Sequence, residues 1–185
     1  MSNAMYESIV RKIDSVQEEL GALALALHEH PELSFQEHFA CQTLSDILEK
    51  HGYQVKKNVA GMETAFIGEM RGKADGPTVA ILAEYDALPM GHACGHNLIA
   101  TMSVGAAIGI GEVLKDLCGR VLVVGTPAEE GGGGKVIMCD AGVFKDVDFA
   151  MMIHPHKRNL IQRGGLAVKH LKIEYFGKPA HGTRP

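Results

Sequence analysis

The chain has 185 residues, a formal net charge of −4 and a hydrophobic share of 46%. That suits one globular domain, or one domain and the beginning of another, with apolar material for a sizeable core. The mild negative charge and the lack of a basic block argue against nucleic acid and anionic membrane as partners.

The N-terminus lacks the basic, apolar and small-residue layout of an export signal. The longest weakly polar run, residues 98–111, is too short and too glycine-broken to span a bilayer. Cys41, Cys94, Cys118 and Cys139 therefore read as reduced thiols of a cytoplasmic protein. Residues 1–4 precede a second methionine, Met5, and resemble a tag remnant, so they are set aside.

Ile9, Ile13, Val16, Leu20, Leu23 and Leu27 recur at steps of four and three, which predicts one amphipathic helix ending before Pro31. Ser34, with Glu37 three residues on, has the spacing of a capping box and announces a second helix. Phe35, Phe39, Leu44, Ile47 and Leu48 form its apolar face, and Gly52 terminates it.

The texture then changes. "TAFIGEM", "TVAILAEY", "RVLVVGT" and "DFAMMIHP" are short apolar runs bounded by Gly, Pro or Asp, which read as buried strands. Helix-like stretches lie between them, roughly residues 97–117 and 135–141. This alternation predicts an α/β fold: an open, mostly parallel sheet with helices on both faces. Ligands of such sheets bind at the carboxyl ends of the strands.

Near Gly164 the pattern shifts again. "GLAVKHLKIEYFG" alternates like a half-exposed strand, and "KPAHGTRP" reads as a turn into a helix. Residues 5–163 are thus taken as one α/β domain and 164–185 as the beginning of a second, cut short.

Acids and histidines gather where the strands end. In "LPMGHACGHNLIA", Cys94 and His96 are donors favoured by zinc and similar metals, placed at the start of a helix. A buried cysteine beside capping histidines is the competing reading. In "GTPAEEGGGGK", Glu129 and Glu130 directly follow an apolar run, and Lys135 is the only nearby cation. Two neighbouring acids at a buried strand end are unfavourable unless something positive neutralises them.

A metal ion does so, and lets one acid ligate while the other takes a proton from water. The glycines are not a phosphate loop, because Glu129 and Val136 stand where that motif needs Gly and Ser or Thr. His154 follows a third strand on the same edge as a further ligand. Asp86 either ligates or holds a ligand histidine in one tautomer. His92, His156 and His170 are left beside the site or on the surface, and Lys135 is read as a local cap or pair.

In that order these residues resemble the dinuclear zinc aminoacylases and carboxypeptidases of peptidase family M20, amidohydrolase branch. "LHEHPELSFQE", "EYDALPMGHACGHN", "GTPAEEGGGGK", the "HP" after a strand and "GKPAHGTRP" carry the resemblance over nearly the whole chain. It is nearest to the aminobenzoyl-glutamate hydrolase and β-alanyl-lysine dipeptidase-like members.

The resemblance implies two divalent ions, zinc first, with manganese, cobalt or nickel as alternatives. Cys94 takes the bridging position, His96 and Glu130 belong to one ion, and His154 belongs to the other. Glu129 is implied as general base and acid, and Asp86 as the residue that orients a ligand. His181 looks like the lid histidine that reaches a partner subunit's site and polarises the scissile carbonyl. The implied architecture is a catalytic domain, residues 5–163, with a lid and homodimerisation domain beginning at 164.

The implied reaction is hydrolysis of the amide of an N-acyl amino acid or short dipeptide. Glu84 and Asn97 stand where the commoner form has Asp, and Gly182 replaces a small alanine. Family members are about twice this long, so the chain reads as a fragment, inactive by itself. A non-catalytic metal- or peptide-binding relic of the same fold, and a cysteine hydrolase using Cys94, are the alternatives.

Overall fold

The first apolar run folds as two helices rather than one, α1 (Asn3–Ser15) and α2 (Gln17–Glu29). They part at Val16, whose φ of −113° and ψ of 13° leave the helical range. Ser15 Oγ donates back to the Lys12 carbonyl at 2.7 Å, offering the last turn of α1 a local alternative to continuing. The bend lets α1 and α2 each lie on a later buried helix. The structure is a computed structural model that describes residues 3–161, 164, 171, 173–179 and 183. α1 begins at Asn3, within the stretch set aside from the sequence.

Helix α3 (His38–Lys50) follows, and no side chain of its N-cap residue Glu37 caps it. Glu32 does that work, accepting from Phe39 N at 2.9 Å and Ala40 N at 3.0 Å. The capping box expected from Ser34 and Glu37 is therefore replaced, and both residues face elsewhere. Gly52, at φ 88°, follows the helix as expected.

Among the described residues five strands form the sheet: β1 (Gln54–Val59), β2 (Met62–Arg71), β3 (Ala74–Ala83), β4 (Cys118–Gly125) and β5 (Phe149–Met151). Their order is β1-β2-β4-β3-β5. β4, β3 and β5 are parallel, whereas β1 and β2 extend the sheet antiparallel. The parallel centre and the α/β class agree with the sequence pattern. β1 was not anticipated, because its "QVKKNV" alternates weakly and carries the charge typical of an edge.

Strand alternation sends side chains to two cores. Val121 and Val123 of β4 face helices α2, α3 and α4 (His96–Leu114), while Leu122 and Val124 face α5 (Gly134–Asp140) with Met138. Each fully buried Leu or Val contributes about 1.5–3 kcal/mol by leaving water. α4 extends past the weakly polar run 98–111 at both ends and is long and apolar enough by composition to cross a membrane. Two thirds of it lies inside the protein, between the sheet and α1 and α2, as a core helix does.

The chain divides into two compact units, Met1–Pro155 and His156–Pro185, ahead of the 163/164 boundary read from the sequence. The sheet and its acidic edge lie in the first.

At the end of β4, Gly125 pairs with Phe66 of β2, whose buried ring stacks on Tyr85 with centroids 5.9 Å apart. A methyl group at Gly125 would fall inside that ring. Gly125→Ala is expected to destabilise the protein by about 1–3 kcal/mol in urea unfolding. Phe66→Leu should relieve part of that loss in a double-mutant cycle.

Candidate active site at the carboxyl edge of the sheet

Because β3, β4 and β5 run parallel, the segments after them leave the sheet at one edge. β3 delivers residues 84–86, β4 delivers 126–130, and β5 delivers His154. α4 starts at the same edge. Its N-cap, Gly95, is left-handed at φ 79°, which turns the chain so that His96 opens the helix and Cys94 precedes it.

Asp86 is fully buried and joins these pieces. Its Oδ1 lies 3.0 Å from His96 Nδ1, and its backbone carbonyl lies 2.9 Å from the same nitrogen. Its Oδ2 accepts from Ser34 Oγ at 3.1 Å and from Glu130 N at 2.9 Å. Burial disfavours the Asp86 carboxylate, but these donors outweigh it and hold its pKa below the usual value. Burial likewise disfavours the His96 cation. The bond to Asp86 and the charges of Glu84, Asp86 and Glu130 outweigh that and raise its pKa.

With Nδ1 committed, His96 presents Nε2 to the acids. That atom is 3.4 Å from Glu84 Oε2 and 3.9 Å from both Glu129 Oε2 and Glu130 Oε1. It has no hydrogen-bond partner and is 1% exposed with its residue. His154 meets the His96 ring edge-on, centroids 5.9 Å apart, and its own Nδ1 lies 2.9 Å from the Pro155 carbonyl. Donor atoms of Glu84, His96 and His154 lie within 4.8 Å of one another, and so do those of His96, Glu129 and Glu130. Such mixed nitrogen and carboxylate sets fit divalent ions of the zinc type.

The Cys94 side chain hydrogen-bonds Glu130. That bond, with burial and nearby acids, pushes the thiol up to about 11. Its partner is thus a carboxylate rather than a basic imidazole, which speaks against a cysteine nucleophile. Burial, then the charge of Glu84, raises Glu129, while Lys135 opposes the shift.

Six of the seven residues named from the sequence meet here: Asp86, Cys94, His96, Glu129, Glu130 and His154. His181 lies outside the described residues, as does His170. The sequence reading missed Glu84 as part of the cluster, although an acid two residues before Asp86 in extended chain faces the same side. Lys135 is not a local cap. It reaches Glu84, 51 residues away, across the edge.

The segment after α2 braces this edge. Glu32 accepts from Ala87 N through its carbonyl at 2.7 Å, and Ser34 holds Asp86. Glu37 is fully buried, accepting from Thr64 Oγ1 and from Ala128 N, both at 2.8 Å. Ala128 has φ 58°, and its carbonyl accepts from Gly132, Gly133 and Gly134. In the glycine run, the Phe35 ring fills the space of a side chain at 132, and the Pro127 carbonyl fills that at 134. The glycines therefore permit close packing of the acidic turn.

No protein-family profile matches the chain. Over 93% of its length it is 40% identical to the Xaa-Arg dipeptidase of Mus musculus, covering 43% of that protein. It is 36% identical, over 82% of its length, to a p-aminobenzoyl-glutamate hydrolase chain of Escherichia coli, covering 35% of it. Among solved structures, a dinuclear metal-binding peptidase of the M20 family from Bacillus subtilis is similar at a TM-score of 0.67 and 31% identity. That match covers 74% of this chain and 42% of the other. The chain thus spans less than half the length of these relatives.

Glu37 is the brace most open to test. Burial raises its pKa above the ordinary 4.5, with Thr64 and Ala128 opposing. A carboxyl with a raised folded pKa favours folding in its protonated form, and that advantage fades as pH rises through the folded pKa. Glu37→Gln should therefore gain stability relative to wild type as pH rises from about 4.5 upward. Glu37→Ala should lose about 1–3 kcal/mol, because two buried donors lose their acceptor. Urea unfolding across pH checks both.

Proposed function

We propose, from the premise that the chain belongs to the M20 family of dinuclear-metal peptidases, that the whole protein is a metal-dependent amidohydrolase. Its substrates are N-acyl amino acids or short dipeptides. The names of the relatives, a dipeptidase and an aminobenzoyl-glutamate hydrolase, support amides whose amine side is an amino acid. The single observation that carries the reading is His96 Nε2, buried, without a partner and ringed by carboxylates.

His96 and Glu130 would hold one divalent ion, His154 the other, and Cys94 would bridge them. Zinc suits this donor set first, with manganese, cobalt or nickel after it. Bound there, the pair supplies positive charge that acidifies water and polarises a carbonyl. The chain's own residues do the rest. Asp86 fixes the His96 tautomer, so that Nε2 faces inward.

The exposure of Glu129, the greatest among these acids at 41% of its side chain, supports its role as the acid that meets substrate. Glu129 removes the proton of the attacking water and passes it to the leaving amine. His181 of a lid domain, acting from the other protomer of a homodimer, would stabilise the oxyanion. Four free cysteines are consistent with a reducing cytoplasm.

In the intact protein, Glu129→Gln should retain metal yet lose about 10²–10⁴-fold in turnover of N-acyl amino acids. A chelator should abolish activity and added zinc restore it, whereas a thiol alkylator without chelator should act slowly. Wild-type turnover in Glu129→Gln would refute the assigned base. Activity resistant to chelation would refute the metal.

A further inference from the structure

Glu84 is the one carboxylate at this edge to which the proposed mechanism gives no task. It is 2% exposed, and one oxygen, Oε1, is held by Lys135, which enters on α5 from the opposite face of the sheet. The other, Oε2, has no hydrogen-bond partner and stands 3.4 Å from His96 Nε2, which has none either. Asp86 engages Nδ1 of His96, and in the neutral tautomer that donates to Asp86 the Nε2 atom carries no proton. Two buried acceptor atoms thus face one another, an arrangement that is unfavourable in a low-dielectric interior unless something positive stands between them.

Two ligands bound tetrahedrally at about 2.0–2.2 Å lie roughly 3.3–3.6 Å apart, and the observed separation falls in that interval. A donor atom of His154 is within 4.8 Å of both. We infer that Glu84 is a further ligand of the metal pair, sharing an ion with His96, and that Lys135 is its positioning residue. By occupying Oε1, Lys135 fixes the carboxylate so that Oε2 points at His96. This inference rests on the proposed metal centre, and it adds a side chain which that proposal leaves out.

The test measures metal binding rather than turnover. The intact protein and its Glu84→Gln and Lys135→Met variants are stripped of metal and titrated with Zn2+ against a chromophoric chelator. Each is then loaded with Co2+ for visible absorption spectra. Wild type should bind two ions. Glu84→Gln should bind one of them at least about tenfold more weakly and shift the Co2+ bands. Lys135→Met, which keeps the carboxylate, should weaken binding less than Glu84→Gln.

If Glu84→Gln does not fold, Glu84→Asp replaces it. That variant keeps the charge for Lys135 but withdraws the oxygen by one methylene, and it should show the same loss. Wild-type affinity and an unchanged Co2+ spectrum in the folded Glu84 variant would overturn the inference while leaving the metal centre intact. A wild-type protein that binds neither ion would overturn both.

Discussion

The Asp86 carboxylate is the joint on which this edge depends. It touches three segments distant in sequence: Ser34 after α2, His96 at the start of α4, and the backbone of Glu130 after β4. A buried carboxylate is tolerated only when its lone pairs are filled, and here three donors fill them. In return Asp86 dictates where each donor sits. The His96 tautomer, and with it the inward direction of Nε2, follows from this one group.

Around that joint the charge is lopsided. Glu84, Asp86, Glu129 and Glu130 crowd the edge, against Lys135 and whatever charge His96 carries. The parallel centre of the sheet is what concentrates them, since parallel strands release their ends on one side. The N-terminal turn of α4 adds partial positive charge at the same place. It does not pair His96 Nε2 or Glu84 Oε2, which stay without partners. The surplus of acceptors over donors is a property of the fold itself, and a bound cation is its natural complement.

Much of this was legible in the sequence, because apolar runs of strand length fix the sheet and the residues just after them fix the edge. Glu129, Glu130 and His154 were read that way, and Cys94 and His96 from their donor types at the start of a helix. What failed was local patterning with more than one meaning. Ser34 and Glu37 have capping-box spacing, yet long-range partners, Asp86 for one and Thr64 with Ala128 for the other, draw both side chains away from the helix. The run from Ile9 to Leu27 keeps helical periodicity through Val16, and periodicity cannot register a bend that leaves the apolar face continuous. Glu84 was passed over because an acid at the end of an apolar strand reads equally well as its solvated terminus. Only the placement of Lys135, far along the chain, distinguishes the two.

That placement shows how the fold grips its site. Glu84 is the first residue past β3, the strand between β4 and β5. His96 reaches it on α4 from the face packed by α2 and α3, and Lys135 reaches it on α5 from the other. Either helix could shift a little on its own core, since each packs through a different set of side chains. Both cannot shift independently while they share one carboxylate. The sheet therefore supplies more than a shelf for the acids: the end of β3 couples two separate hydrophobic cores, so packing errors on either face are felt at the same atoms.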